Sequence, residues 1–169
     1  MTTGAPFDSA VLETARIRLT HDYPLAIAGC LDALDDEQLW WRPNESANAI
    51  ANLVIHLAGS NHFYFEHVFA GRELRRDRDA EFAARNTHTK VQLIDLWQNS
   101  VGSTAEVLES FEPERLAEVT ERTGKPLTLE RILLHVTHHN AIHMGQIVFT
   151  TKMLREGAIR DLWKRTRAL

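Results

Sequence analysis

Cysteine is almost missing from this chain. Cys30 stands alone among 169 residues, which excludes an internal disulfide framework and fits a cytosolic address. Long apolar runs are missing too, and no stretch approaches the ~20 residues of a membrane span. Met1 to Pro6 hold no basic segment followed by an apolar run, so no secretion signal is expected. Excess positive charge is absent: the formal net charge is −4, without a basic stripe or aromatic-interleaved lysine cluster. Nucleic acid is therefore not an expected partner. Strand-like alternation, internal repeats and low-complexity stretches are absent as well. What remains is a chain of ordinary globular composition, 44% hydrophobic and 25% charged. Residues 1–169 are expected to form one cytoplasmic domain with its own core.

Helical periodicity fills the space that strands leave. Val11, Leu12, Ala15, Leu19, Tyr23, Ile27 and Leu31 recur at three- and four-residue steps and predict a first helix from Asp8 or Ser9 to Leu34. Pro24 should kink it near the preceding turn. A short turn closed by Pro43 follows. The second helix is expected over residues 46–69, with Asn44 and Ser46 as caps and Gly71 as a stop. Thr89 caps a third, which carries Val91, Leu93, Ile94, Trp97, Val101, Ala105, Leu108 and Phe111. Thr128 caps a fourth running to about Leu154, with Gly157 beyond it. Four amphipathic helices of this length predict an all-α four-helix bundle. The linker at residues 72–88 is polar. About 17 residues extended at ~3.3 Å each can return along a helix of ~36 Å. The connection from Pro113 to Pro126 holds Gly124-Lys125-Pro126 as a turn signal.

Chemistry concentrates in His135-Val-Thr-His138-His139-Asn-Ala-Ile-His143. His135, His139 and His143 are spaced i, i+4, i+8, so a helix projects them from one face beside Ile132, Val136 and Ile147. Imidazoles turned inward need something to take their lone pairs, and a divalent metal does so. His56 supplies the complement. It sits in the apolar run Ala49-Ile-Ala-Asn-Leu-Val-Ile-His56-Leu-Ala, and bundle metal sites draw ligands from facing helices. His139 and His143 are assigned as ligands with His56. An i, i+4 pair spans one turn, and its imidazoles can converge on one ion. His135, a further ~6 Å along the axis, could be a fourth ligand, a donor to another imidazole, or a substrate contact.

Three protein ligands with an open position suit a catalytic ion, and an all-histidine set suits Zn²⁺, Ni²⁺, Cu²⁺ or Fe²⁺. Gln146, Asn52 and Ser60 fall at helical spacing from the ligands and could orient imidazoles or touch substrate. Gly145 is expected to let a neighbouring helix approach closely. His138 points away from the face. His67 shares the His56 face but lies ~16 Å along the axis, and His62, His21 and His88 are expected at the surface. Trp40, Trp41, Trp97 and Trp163 are expected to pack the core or a lid, and Cys30 to lie outside the site.

The chain resembles the DinB-like superfamily of metal-binding four-helix bundles. The resemblance is carried by Asn48-Ala-Ile-Ala-Asn-Leu-Val-Ile-His56-Leu-Ala-Gly and by His135-Val-Thr-His-His139-Asn-Ala-Ile-His143-Met-Gly-Gln146-Ile. The linker Arg76-Asp-Arg-Asp-Ala-Glu-Phe82 is similar to a branch of unknown function. The resemblance implies an up-down-down-up bundle with a long crossover between the second and third helices. It also implies a three-histidine site mapped to His56, His139 and His143. Characterised relatives include S-transferases using bacillithiol or mycothiol and a thiol-dependent maleylpyruvate isomerase. Relatives often carry Arg before Gly-Gln; Met144 stands there in this chain.

Three functions follow as expectations. The first is a metal-dependent thiol S-transferase acting on a small-molecule thiol and an electrophile. The second is a metal-dependent hydrolase, for which no clear general base stands beside the ligands. The third is a non-enzymatic metal-binding or stress-response protein. A homodimer is expected from the abundance of Trp and Phe and from the pairing of relatives through helix faces.

Overall fold

Each long helix begins and ends where local chemistry tells it to. The computed structural model describes residues 7–161; Trp163 and the Met1 to Pro6 segment lie outside them. The first long helix comprises Phe7–Ile17, a π-helical turn over Arg18–Asp22, and Tyr23–Ala33. Pro24 has no N–H, so the carbonyl four residues back loses its usual partner. The helix absorbs this by widening: the Tyr23 N–H donates five residues back to the Arg18 carbonyl.

The second long helix runs Ile50–Asn61 and continues as a π-helix over His62–Phe69. It starts later than the expected Ser46. Asn44 Oδ1 accepts from the Ser46 N–H, the Ser46 hydroxyl and the Ala47 N–H at 3.1, 2.8 and 3.0 Å, which closes a turn instead of a helix. Asn52 then reaches back, its Oδ1 accepting from the Ala49 N–H at 3.3 Å. Gly71, at φ +72°, takes the left-handed conformation that ends the helix.

The third long helix, Lys90–Glu109, opens on a reciprocal cap: Thr89 Oγ1 accepts from the Gln92 N–H at 3.3 Å, and Gln92 Oε1 from the Thr89 N–H at 2.9 Å. The fourth, Leu129–Leu154, starts at Thr128, whose hydroxyl accepts from the Arg131 N–H at 3.3 Å.

The connections carry structure that periodicity does not announce. Asp35 caps a short helix at Asp36–Trp40. The linker contains a helix of its own, Arg78–Ala83, started by Asp77 Oδ1 accepting from the Ala80 N–H at 3.0 Å. Between the third and fourth long helices lie a 3₁₀ turn at Pro113–Ala117 and an antiparallel ladder pairing Val119–Thr120 with Leu127–Thr128.

Contacts at the two ends of the bundle fix how the helices lie. Near the end of the first helix, the Lys90 ammonium donates to the Asp32 and Leu34 carbonyls, both at 2.9 Å. The Trp40 indole donates to the His88 carbonyl at 2.9 Å. Beyond the far end of the second helix, Arg72 meets Glu106 at 3.0 Å. The close of the second helix thus lies beside the close of the third.

Two apolar clusters fill the interior. One gathers Ile27, Leu31, Leu39, Ile50, Val54, Leu57, Leu93, Trp97 and Ile147. The other gathers Leu12, Leu19, Phe65, Phe69, Leu108, Phe111, Ile132 and Val136. Between the clusters every long helix buries polar residues: Asp22, Ser60 and Asn61, Ser100 and Thr104, and Asn140. Asn140 Nδ2 donates to Asn61 Oδ1 at 3.1 Å across this layer. Trp97 is buried and Trp40 packs partly against the first cluster, whereas Trp41 is exposed at the surface, away from any core or lid. No helix of the described residues is long and apolar enough to cross a membrane.

Candidate metal centre

His56 comes from the middle of the second helix, where its neighbours Val54, Leu57 and Ala58 are buried, and it is itself only 3% exposed. His139 and His143 come from successive turns of the fourth helix and are half-buried. The three rings face one another, with centroids 5.0 Å apart for His56 and His139, 5.1 Å for His56 and His143, and 4.6 Å for His139 and His143. Each offers one ring nitrogen, and these nitrogens lie within 4.8 Å of one another, a cluster that could hold a divalent ion.

Protonation favours the same use. Burial, reinforced by the neighbouring His143, His56, His135 and Arg76, lowers the His139 pKa to about 3. That imidazole is neutral throughout the physiological range. Burial also lowers His143, opposed by its hydrogen bond to Gln146 and helped by the charges of His56 and Arg78.

Two of the three remote ring nitrogens are already engaged. His143 Nδ1 lies 2.7 Å from Gln146 Oε1, which accepts its proton and leaves Nε2 as a lone-pair donor. His56 Nδ1 lies 2.8 Å from Glu81 Oε2, with the same result. His56 Nε2 and His139 Nε2 stand 2.9 Å apart, and His139 Nδ1 is buried without a partner. Three converging imidazoles, two of them held at their outer nitrogens, fit a divalent metal, and His56, His139 and His143 would hold it.

Glu81 is the residue that sequence reasoning misses. It is 8% exposed and comes from the linker helix. Arg76 grips both of its oxygens, Nε to Oε1 at 2.7 Å and Nη2 to Oε2 at 2.8 Å. The same Nη2 lies 3.2 Å from His56 Nδ1 and 3.3 Å from the His56 carbonyl. Both Nδ1 and the guanidinium bear protons, so both donate to Glu81, and Arg76 donates also to the carbonyl. Burial alone would raise the Glu81 pKa, but the hydrogen bonds from His56 and Arg76, with the charge of Arg76, outweigh it and hold the carboxyl low.

The other expected residues take varied places. Asn52 is fully buried and touches no imidazole; its Nδ2 donates to the Glu81 and Ala84 carbonyls, both at 3.0 Å, and so ties the linker helix to the second helix. Ser60 is buried one turn beyond His56. His135 is exposed, its ring 6.1 Å from His139 and 5.7 Å from Tyr64. His138 is exposed and bonds the Leu134 carbonyl through Nδ1 at 2.7 Å. His21 is exposed. His62 and His88 are half-buried instead of superficial: His62 pairs with Glu66 at 2.7 Å, and the His88 carbonyl accepts from the Trp40 indole. His67 stacks on Phe63 at 5.4 Å. Cys30 is buried in the first cluster, its thiol pushed up by burial.

Gly145 corrects an expectation. A Cβ there would meet nothing within 4 Å, so it admits no neighbouring helix within the chain. The glycine with a steric duty is Gly59, where a Cβ would stand 2.3 Å from Glu81 Oε1.

Comparison with known proteins agrees with this architecture. A DinB-like protein from Bacillus subtilis superposes with a TM-score of 0.65 at 18% identity, over 85% of this chain and 94% of that one. A DinB-like protein from Bacillus cereus gives 0.63 at 14% identity, over 79% and 86%. A conserved protein from Enterococcus faecalis gives 0.56 at 19% identity, over 86% and 94%. At these identities the likeness shows the fold. No curated protein matches the sequence. The profile of the mycothiol-S-transferase family, however, matches residues 21–157. By that match the chain belongs to the mycothiol-S-transferase family of DinB-like proteins.

Proposed function

We propose that this protein is a metal-dependent S-transferase that joins a low-molecular-weight thiol, mycothiol or a close analogue, to an electrophilic small molecule. The observation that carries this is the convergence of His56, His139 and His143 in a chain of this family. A divalent ion held there would favour a bound thiol's deprotonated form at neutral pH. The chain's own residues do the rest. Glu81 and Gln146 orient two of the imidazoles, and the lowered pKa of His139 keeps protons from competing for it. Phe82, 4.4 Å from the His56 ring, shields that side from water. His135 and His143 mark the accessible side, where a small molecule would enter. In the transfer the sulfur–carbon bond forms and the thiol proton passes to solvent. The electrophile either expels its leaving group with the bonding pair or gains a proton at the adjacent carbon. A free thiol substrate places the reaction in a reducing, cytoplasmic setting.

Hydrolysis would call for a free general base. The carboxylate beside His56 has both oxygens engaged by Arg76 and His56, which weighs against that role.

Zinc- or nickel-loaded, tag-free protein should accelerate the conjugation of mycothiol to monochlorobimane, read by fluorescence. His56→Ala should lose the acceleration, while Cys30→Ser, which touches none of the three histidines' ring nitrogens, should keep it. A rate that depends on Cys30, or no metal-dependent rate with mycothiol, cysteine or glutathione, would overturn the proposal.

We propose also that the protein pairs with a second copy through the outer face of the fourth helix. Leu134, Ile142, Phe149 and Met153 share that face at 42, 62, 66 and 60% exposure. Gly145 lies among them with open space above it. A helix can approach closely there, and an antiparallel second copy would set Ile142 of each chain near Phe149 of the other. Apolar stripes of this size are unusual on a lone surface. Sedimentation equilibrium at micromolar concentration should give twice the chain mass, and the Ile142→Glu, Phe149→Glu double variant the single mass. Wild type at the single mass would dispose of the interface.

A further inference from the structure

We infer that Arg76 and Glu81, carried by the linker, are positioning residues for His56, so that the affinity of the metal centre is set from outside the bundle. The inference rests on the three-histidine reading and extends it to residues that bind no ion themselves.

Four observations converge. Glu81 Oε2 accepts a hydrogen bond from the His56 Nδ1–H at 2.8 Å, which turns the opposite nitrogen toward His139. Arg76 holds both carboxylate oxygens, at 2.7 and 2.8 Å, and fixes the plane in which Glu81 accepts. The linker helix is itself tied down, since Asn52 donates to the Glu81 and Ala84 carbonyls at 3.0 Å each. Finally, the second helix leaves room for the pair: a Cβ on Gly59 would sit 2.3 Å from Glu81 Oε1 and 3.4 Å from Arg76 Nε. An ion pair that served only to fasten a loop would not require its acceptor to meet an inward imidazole. A carboxylate on the remote nitrogen of a ligating histidine fixes its tautomer and ring orientation and raises its basicity.

The test compares zinc affinity, by competition with a chromophoric chelator, in tag-free wild type, Glu81→Gln, Gly59→Ala and Glu66→Gln. Glu81→Gln keeps the shape and the backbone clasp while losing the charge, and it should weaken zinc binding about 10- to 100-fold. Gly59→Ala should act in the same direction by displacing the carboxylate. Glu66→Gln, which alters a carboxylate paired with His62, should leave affinity unchanged. The cobalt-substituted proteins supply a signature that loop stability would not move. The ligand-field bands should shift in Glu81→Gln at unchanged far-UV circular dichroism. Wild-type zinc affinity in both Glu81→Gln and Gly59→Ala, or cobalt bands identical to wild type, would overturn the inference while leaving the metal site standing. Failure of wild type itself to bind zinc or cobalt would instead overturn the three-histidine reading. Should Glu81→Gln fold poorly, Gly59→Ala decides the matter alone.

Discussion

His139→Ala is expected to strip the protein of its metal. One ion per chain should fall to less than about a tenth, because an open site with three protein ligands has no spare donor. His56→Ala and His143→Ala should do the same, and elemental analysis of dialysed, tag-free protein reads all three. His138→Ala is the control, since that ring is exposed and bonded to the Leu134 carbonyl. Full occupancy in every ligand variant would remove the assignment. A second arm follows from protonation. The unfolded chain protonates His139 near its ordinary 6.5, whereas the folded, metal-free chain keeps it neutral down to about 3. As pH falls through that window the unfolded state binds the extra proton, so metal-free wild type loses stability. His139→Ala should lose less over the same range, measured by thermal melts at pH 7 and pH 4.5.

Phe65→Ala should be the most damaging single truncation in the second apolar cluster. Phe65 is fully buried, and its ring lies 5.5 Å from Phe69. Removing such a ring costs lost transfer energy and leaves a cavity, together about 3–5 kcal/mol. That is a large share of the ~5–15 kcal/mol by which domains are stable. Urea unfolding should show the midpoint shifted by that amount at unchanged slope. Phe149→Ala, at 66% exposure, should change a single chain's stability by about 0.5 kcal/mol or less. Equal losses in the two variants would mean that the cluster does not dominate.

Local rules were enough to read the long helices. Thr89 and Thr128 each sit before an apolar run, and each does cap its helix. Ser46 misleads because Asn44, two residues earlier, captures its N–H in a turn, and only the three-dimensional course of the chain decides between these equivalent polar caps. The facing of His139 and His143 follows from helical spacing, and the inward direction of His56 from its apolar neighbours. Glu81 is a different matter. In the run Arg-Asp-Arg-Asp-Ala-Glu a carboxylate looks like one more solvated charge, and what buries it is a contact between residues 25 positions apart in the chain, Glu81 and His56. The one local hint is Asp77, a cap for a short helix. Gly59 and Gly145 look alike in sequence; only packing shows that the first is crowded and the second open.

Asn61 and Asn140 act as a vernier between the second and fourth helices. An apolar seam is smooth, and one helix could slip along another by a turn, ~5.4 Å, with little loss. Here the slip would break the hydrogen bond that the two buried amides share and leave the Asn61 carbonyl oxygen without its donor. Such a stranded polar group would cost about 1–3 kcal/mol. Asn140 follows His139 directly, and Asn61 comes five residues after His56. The setting that stops the slide is therefore the setting that fixes how far apart the imidazoles stand.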